Sequence, residues 1–197
     1  MNGSQQLSWS VGLIAAMVAG YLISWIPGFD PNVYGLVPRT FGGLVGIATM
    51  PFLHAGLGHL LANLSSLVVL LGFLLVFHSN KAFEVVLEVI LLGGILLWLF
   101  GRSALHVGAS GLVYGLAGYL IAVGFAQKRF LELIASVIVA FLYGTSLVWG
   151  LLPIRPGISW DGHLAGLIAG IAIGIWGETR APRAANPPDQ FPRLSLD

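Results

Sequence analysis

Six apolar runs, each close to the length of a membrane-spanning helix, constrain this chain more than any other feature. A helix needs about 20 apolar residues to cross a bilayer. Only 9% of the 197 residues are charged and the mean hydropathy is +0.90, which excludes both an ordinary soluble domain and a disordered chain. The sequence predicts an all-α membrane protein whose spans cover residues 7–26, 54–77, 83–100, 105–126, 130–152 and 162–176.

The rest of the chain is short and carries little charge. We expect residues 1–177 to form one transmembrane domain and residues 178–197 a polar, Pro-rich cytoplasmic tail. The apolar run after the N-terminus lacks the basic start of a cleavable signal, so it is interpreted as a permanent span. A net charge of +1 suggests no nucleic-acid partner, and the absence of cysteine excludes disulfides and thiol catalysis. Residues 29–50, too irregular for a span, are expected at the interface, buried against protein.

The distribution of Lys and Arg predicts the orientation in the membrane. Cytoplasmic connections carry the excess of basic residues. The basic residues on the side of the N-terminus are Lys81, Lys128, Arg129, Arg180, Arg183 and Arg193, against Arg39, Arg102 and Arg155 on the other side. Both termini should therefore face the cytoplasm, and spans two, four and six should begin at the outer side, where their polar first turns would lie at one depth.

The segment around Ser110 opens the fourth span. Gly108 and Gly111 flank Ala109-Ser110, which allows a tight turn and leaves the hydroxyl uncrowded. A nucleophilic serine would need such access. Alone, however, the pattern is a weak signal, and it favours a helix-capping serine with close-packed glycines over a nucleophile.

A stripe of glycines marks the sixth span. Gly162, Gly166, Gly170 and Gly174 recur every four residues and so share one helical face. Such a stripe lets another helix approach closely, and the fourth span offers its own glycines as partners: Gly111, Gly115 and Gly118. His163 adjoins the stripe and could reach Ser110 there. An ionisable residue in a span suggests function, although a structural hydrogen bond between helices is the alternative.

The second span supplies a third polar set. His59 and Asn63 are four residues apart on one face and can donate hydrogen bonds to a developing oxyanion. His54 lies off that face and is expected to support structure or anchor a loop. A metal site is disfavoured because the histidines lack an acidic partner at ligand spacing and there is no HExxH pattern.

The chemistry that these sets predict is a serine–histidine dyad. His163 is the best candidate for a base beside Ser110. No acidic third member is evident; Asp161 should point elsewhere and cap its helix. Glu84, Glu88 and Glu132 are interpreted as snorkelling or interfacial charges.

Together the three motifs resemble the rhomboid family of intramembrane serine proteases. The matching stretches are His54-Ala-Gly-Leu-Gly-His59-Leu-Leu-Ala-Asn63, Gly108-Ala-Ser110-Gly111-Leu-Val-Tyr114-Gly and Gly162-His163-Leu-Ala-Gly166. Each is weak alone, but in this order on spans two, four and six they are highly specific. The resemblance implies a six-helix rhomboid-like bundle in the bacterial inner membrane.

The resemblance also implies roles for residues. Ser110 would be the nucleophile, His163 the general base, and His59, Asn63 and the backbone N–H groups of Ser110 and Ala109 the oxyanion hole. Tyr114 would pack on the His163 ring, with Gly108 and His54 in supporting positions. The substrate would be a transmembrane helix, unwound locally and cut near its outer end, often after a small residue. No metal or other cofactor is implied.

Two departures and two alternatives accompany this resemblance. Many relatives carry a Trp-Arg pair in the first loop, where this chain has Arg39 without an adjacent Trp, and a Glu-x-Arg pattern where it has His78-Ser79-Asn80-Lys81. A non-catalytic rhomboid-like protein that binds membrane clients is the first alternative, disfavoured because Ser110 and His163 are both present. A small transporter is the second, disfavoured because the polar residues lie at one end of the spans and no repeat halves are visible.

Overall fold

The computed structural model describes residues 2–127, 130–154 and 157–180. These residues form seven α-helices: α1 (Gly3–Ile23), α2 (Gly46–Thr49), α3 (Leu57–His78), α4 (Ala82–Phe100), α5 (Ser110–Gln127), α6 (Phe130–Leu151) and α7 (Trp160–Arg180). Six of them correspond to the six expected spans, and α2 is a single turn in the first loop. The predicted all-α bundle is confirmed.

The helix boundaries differ most from the prediction at α5. The expected span began at residue 105, but the helix begins at Ser110. Leu36 and His106 exchange backbone hydrogen bonds of 2.8 and 3.0 Å in an antiparallel bridge, and Gly108 has φ +111°. Paired, extended backbone followed by a left-handed glycine cannot be helical, so this part of the apolar run is loop.

Other boundaries also move, among them both ends of the first helix, which runs from Gly3 to Ile23 against an expected span of 7–26. The second span was expected from residue 54, whereas α3 begins at Leu57 and leaves His54 in the preceding segment. The last helix continues to Arg180, three residues into the expected tail, and residues 181–197 of that tail lie outside the described residues. Hydropathy marks where apolar residues stop, but backbone hydrogen bonding decides where a helix stops.

Helix α5 is the centre of the bundle. Its residues from Leu112 to Leu120 are buried without interruption, and it packs against α3, α4, α6 and α7. A helix that is apolar on every side is one that other helices surround. Helix α1 is peripheral by contrast, with only Ser10 and Met17 buried.

Glycines bring α5 and α7 into backbone contact. A Cβ atom added at Gly166 would overlap the carbonyl of Gly111, and one added at Gly170 would overlap the carbonyl of Gly115. This confirms that the glycine stripe lets the two helices approach closely, as small residues do in membrane bundles. The contact fixes the depth of α7 relative to α5.

The first loop, which connects α1 to α3, folds over the C-terminal end of α4. It contains α2 and three short 3-10 helices, Pro31–Tyr34, Gly42–Leu44 and Met50–Phe52. The Arg39 guanidinium donates to the Gly101 carbonyl at 2.7 Å, and the Trp98 indole donates to the Thr40 carbonyl at 2.9 Å. These contacts hold the loop against protein, as expected. Arg39 has no tryptophan beside it in the sequence, but Trp98 of α4 binds the same loop at the neighbouring residue Thr40.

The outer surface of the bundle suits a lipid environment. By length and apolar composition α1 and the continuous helical stretch Leu57–Phe100, which contains α3 and α4, qualify as membrane-crossing segments, while Ser110–Ala126 and Leu133–Thr145 are shorter apolar stretches within α5 and α6. Large apolar side chains such as Val76, Phe100 and Phe141 are at least three-quarters exposed. In water such a surface would aggregate.

Candidate active site

The N-terminal ends of α3, α5 and α7 meet around one cavity of about 470 Å³. Its walls carry four of the polar residues that the sequence singled out, together with parts of the three segments that precede these helices: Ala55, His59, Ala62, Asn63, Leu105, His106, Val107, Ser110, Gly157, Ile158, Ser159 and His163. Three helix N-termini at one depth also direct unpaired backbone N–H groups towards the same region.

Ser110 and His163 form a direct hydrogen bond. Ser110 is the first residue of α5, and its Oγ lies 2.8 Å from Nε2 of His163 in the first turn of α7. The close approach of the two helices at Gly111 and Gly166 sets this distance. A hydroxyl bonded to an imidazole nitrogen in this way can lose its proton to that nitrogen as it attacks.

The other nitrogen of His163 binds a main-chain carbonyl. Nδ1 lies 2.8 Å from the carbonyl oxygen of Gly150 in the last turn of α6. A carbonyl can only accept, so Nδ1 carries the hydrogen and Nε2 is left to accept from Ser110. The last carbonyls of a helix have no partner within that helix. The sequence analysis missed Gly150 because a carbonyl is common to all residues and so gives no sequence signal.

Tyr114 fixes the plane of the imidazole. Its ring stacks on that of His163 with the centroids 4.2 Å apart and the planes 10° from parallel. Gly150 lies against the edge of this stack, where an added Cβ would collide with the Tyr114 hydroxyl and lie 3.0 Å from Nδ1 of His163. The stack and the Gly150 carbonyl together leave the ring one orientation.

His59 and Asn63 lie beside the backbone that leads to Ser110. A Cβ at Gly108 would lie 2.6 Å from Nε2 of His59 and 3.4 Å from Nδ2 of Asn63, so only glycine admits both side chains there. Ala109, the next residue, is fully buried. Within the described residues the buried Nδ2 of Asn63 has no hydrogen-bond partner. A buried donor without a partner is costly unless a bound group uses it, and an oxyanion at the cavity would.

His54 supports His59 from outside the helices. It is 2% exposed, and its ring meets that of His59 edge to face with the centroids 5.2 Å apart. Burial, with a smaller contribution from neighbouring His59, lowers the pKa of His54 to about 4. The ring is therefore neutral near pH 7 and serves as packing.

In the described residues no group of three His, Asp or Glu could hold a metal ion.

Asp161 lies inside the first turn of α7 and also contacts the loop that precedes α5, a contact that the sequence analysis did not predict. It is the second residue of α7, and its carboxylate accepts from the backbone N–H of Arg102 at 2.8 Å. His106 and Ser159, which the sequence analysis did not single out, lie beside it. Of the three glutamates expected at the interface, Glu84 and Glu88 are exposed, and the side chain of Glu132 lies outside the described residues.

The fold and the site define a helical membrane bundle with a serine–histidine pair at the helix N-termini, and comparison with known proteins identifies its family. The family model of the rhomboid domain matches residues 42–178. The chain belongs to the rhomboid family, whose members are embedded in membranes.

Mycobacterial proteins are among its relatives. Uncharacterized proteins of Mycobacterium tuberculosis and Mycobacterium bovis are each 34% identical to it, over 83% of this chain and 74% of theirs. An uncharacterized protein of Mycobacterium leprae is 32% identical over 85% of this chain and 72% of its own.

Proposed function

We propose that the protein is an intramembrane serine endopeptidase that cleaves transmembrane segments of other membrane proteins with Ser110 as nucleophile and His163 as general base. The observation that carries the proposal is the 2.8 Å contact between Ser110 Oγ and His163 Nε2, made while Nδ1 is occupied by the Gly150 carbonyl. A capping serine has no need of an imidazole held in this tautomer. Both residues of the pair are present, which favours an enzyme over a client-binding protein.

The proposed reaction is an acyl transfer in two stages. Ser110 Oγ attacks the carbonyl carbon of the scissile bond while His163 Nε2 takes the hydroxyl proton, which gives a tetrahedral oxyanion. The oxyanion is stabilised by the side chains of His59 and Asn63 and by the backbone N–H groups of Ala109 and Ser110. The C–N bond then breaks as His163 returns the proton to the leaving amine, and a water molecule hydrolyses the acyl-enzyme by the same route.

Backbone hydrogen bonding supports an unwound substrate. In an intact helix each peptide carbonyl is bonded within the helix and covered by side chains, so the helix would not present a carbonyl carbon to Ser110. A locally extended segment would. The polar walls also favour freed backbone groups, which have no partners in lipid. We therefore propose cleavage close to the membrane surface at which α3, α5 and α7 begin.

The location in the cell is part of the proposal. The excess of Lys and Arg on the side of the N-terminus supports cytoplasmic termini, which puts the cavity on the outer side of the membrane. The mycobacterial relatives support a bacterial cell membrane. Substrates would then be membrane proteins whose transmembrane helices meet the cavity from the lipid phase.

Labelling with a fluorescent fluorophosphonate tests the proposal. The detergent-solubilised full chain should be labelled. Ser110→Ala should lose the label because it removes the nucleophile, and His163→Ala should lose it because a serine without its base is a weak nucleophile. Circular dichroism and gel filtration of the variants would control for folding. A well-folded wild type that neither reacts with the probe nor cleaves a transmembrane reporter peptide after prolonged incubation would contradict the proposal and favour client binding.

A further inference from the structure

A second polar cluster lies next to the Ser110–His163 pair and is not used by the proposed reaction. It consists of Arg102 and His106 in the loop between α4 and α5, and of Ser159 and Asp161 at the start of α7. His106 and Asp161 are at least nine-tenths buried. Burying polar side chains in a membrane protein is costly, so these two residues are expected to make contacts that offset the cost.

Asp161 ties α7 to the loop that precedes α5. Its Oδ2 accepts from the backbone N–H of Arg102 at 2.8 Å and from Nε of the same residue at 3.3 Å. The Arg102 guanidinium also donates to the Ile158 carbonyl at 2.8 Å and lies over the Trp160 ring. The Arg102 side chain is 44% exposed, and an exposed ion pair contributes little, so the shorter contact, to the backbone N–H, is the main anchor.

His106 makes the second link. Its Nε2 lies 3.2 Å from the Arg102 carbonyl, which can only accept, so Nε2 carries the hydrogen. Its Nδ1 then accepts from the Ser159 hydroxyl at 2.7 Å. The backbone of His106 is itself fixed by the bridge to Leu36. The link therefore joins the first loop, the loop before α5 and the start of α7.

Both links end next to the reactive pair. His106 precedes Ser110 by four residues, and Asp161 precedes His163 by two. The backbone N–H of His163 donates to the carbonyl of Ser159 at 2.9 Å, so Ser159 and His163 belong to one helical turn. Displacement of that turn would change the distance between Nε2 of His163 and Oγ of Ser110.

We propose that Asp161 and His106 are positioning residues, which hold the first turn of α7 in register with the chain that leads to Ser110. The inference rests on the proposed function, since it assigns the cluster the task of keeping the base beside the nucleophile. The anchor is a hydrogen-bond acceptor rather than a charge. It needs only an oxygen at the place of Asp161 Oδ2 to receive the Arg102 N–H.

Two substitutions at position 161 separate an acceptor from a charge. Asp161→Asn keeps an oxygen for the Arg102 N–H and removes the charge, whereas Asp161→Ala removes both. We expect the rate of fluorophosphonate labelling to fall about tenfold or more in the Ala variant and to stay within about threefold in the Asn variant, because a small displacement of a catalytic group is enough for such a loss. Arg39→Gln is the matched control, since Arg39 anchors the same loop at Gly101 without touching α7, and should label within about twofold of wild type.

Hydrogen–deuterium exchange measures the same displacement without relying on activity. Asp161→Ala should increase deuterium uptake in the first turn of α7, residues 159–163, and leave the later turns of α7 protected, while Asp161→Asn and Arg39→Gln should not change that turn. Equal loss of labelling in the Ala and Asn variants would overturn the proposal in favour of an electrostatic role, and unchanged uptake in the Ala variant would also overturn it. An unreactive wild type would contradict the proposed function instead, and the exchange data would then decide the role of the cluster alone.

Discussion

Gly150 is the residue on which the orientation of His163 depends, and it contributes through its main chain and its lack of a side chain. Its carbonyl receives the Nδ1 hydrogen at 2.8 Å. Its Cα faces the Tyr114–His163 stack with no room for a methyl group. The site thus needs a carbonyl without a partner in its own helix and a residue without a side chain. A glycine in the last turn of α6 meets both needs.

Substituting Gly150 should therefore reduce reactivity without removing any catalytic side chain. In Gly150→Ala the new methyl group would collide with the Tyr114 hydroxyl and displace the Tyr114 ring. The His163 ring stacked on it would shift as well, which weakens the hydrogen bond from Nδ1 of His163 to the carbonyl of residue 150. We expect the rate of fluorophosphonate labelling to fall about tenfold or more. Gly144→Ala in the same helix is the matched control, because nothing described lies within 4 Å of a Cβ there. Equal rates in the two variants would show that the stack tolerates displacement.

At this scale the sequence predicted the residues whose side chains have distinctive chemistry. Ser110, His163, His59 and Asn63 stand out because polar residues are rare in apolar helices, and the structure brings them to one cavity. Their catalytic roles stay predictions. Gly150 and the true contacts of Asp161 were beyond sequence reasoning, since the first acts through a carbonyl and the second binds a backbone N–H 59 residues away.

At the scale of elements, the contact between α5 and α7 determines whether the site exists. The two helices meet backbone to backbone at Gly111–Gly166 and Gly115–Gly170. Without a hydrophobic driving force between helices in lipid, such close packing is what holds them together. The pair Ser110–His163 lies at the end of this contact, so separation of the helices would part the two side chains.

Gly166→Val should damage folding for this reason. The branched side chain would overlap the Gly111 carbonyl and push α7 away from α5, a steric conflict that we expect to lower the apparent melting temperature by several degrees, as overpacking of about 1–3 kcal/mol does. Gly72→Val on the exposed face of α3, where nothing described lies within 4 Å, is the control. Thermal unfolding followed by light scattering would compare them. A Gly166→Val protein with wild-type stability and activity would refute the close-packing argument.

Element boundaries were predictable only where hydropathy and backbone pairing agree. The ends of α4 fall within one residue of the expected span, 83–100. The helix is bounded by the turn at Ser79–Lys81 on one side and by Gly101 on the other, and the apolar run stops at the same two places. The start of α5 was misplaced by five residues. Residues 105–109 are mostly apolar, but they pair with the first loop, and that partner is about 70 residues away in sequence.

At the scale of the whole molecule, the arrangement of loops makes the predicted orientation testable. The turn between α3 and α4 contains Ser79–Lys81, and the loop after α4 begins at Gly101, one helix length away at the opposite end of the bundle. The chain has no cysteine. A single introduced thiol is therefore the only one present, with no background to remove.

Single-cysteine labelling in intact bacteria should distinguish the two sides. Ser103→Cys, in the loop after α4, should react with a membrane-impermeant maleimide, while Asn80→Cys, in the turn between α3 and α4, should react only after the membrane is permeabilised. Both positions are exposed, so denatured samples should label equally and serve as the control for expression. The reverse pattern would place the cavity on the cytoplasmic side and overturn the orientation inferred from Lys and Arg.

The carbonyl of Gly150 also couples the Ser110–His163 contact to a third helix. It belongs to α6, whereas the imidazole that it orients belongs to α7 and the hydroxyl to α5. If the C-terminal end of α6 moved away from α7, Nδ1 would lose its acceptor and Nε2 would no longer be held towards Ser110. The geometry of the pair therefore depends on the position of a helix that contributes no side chain to it.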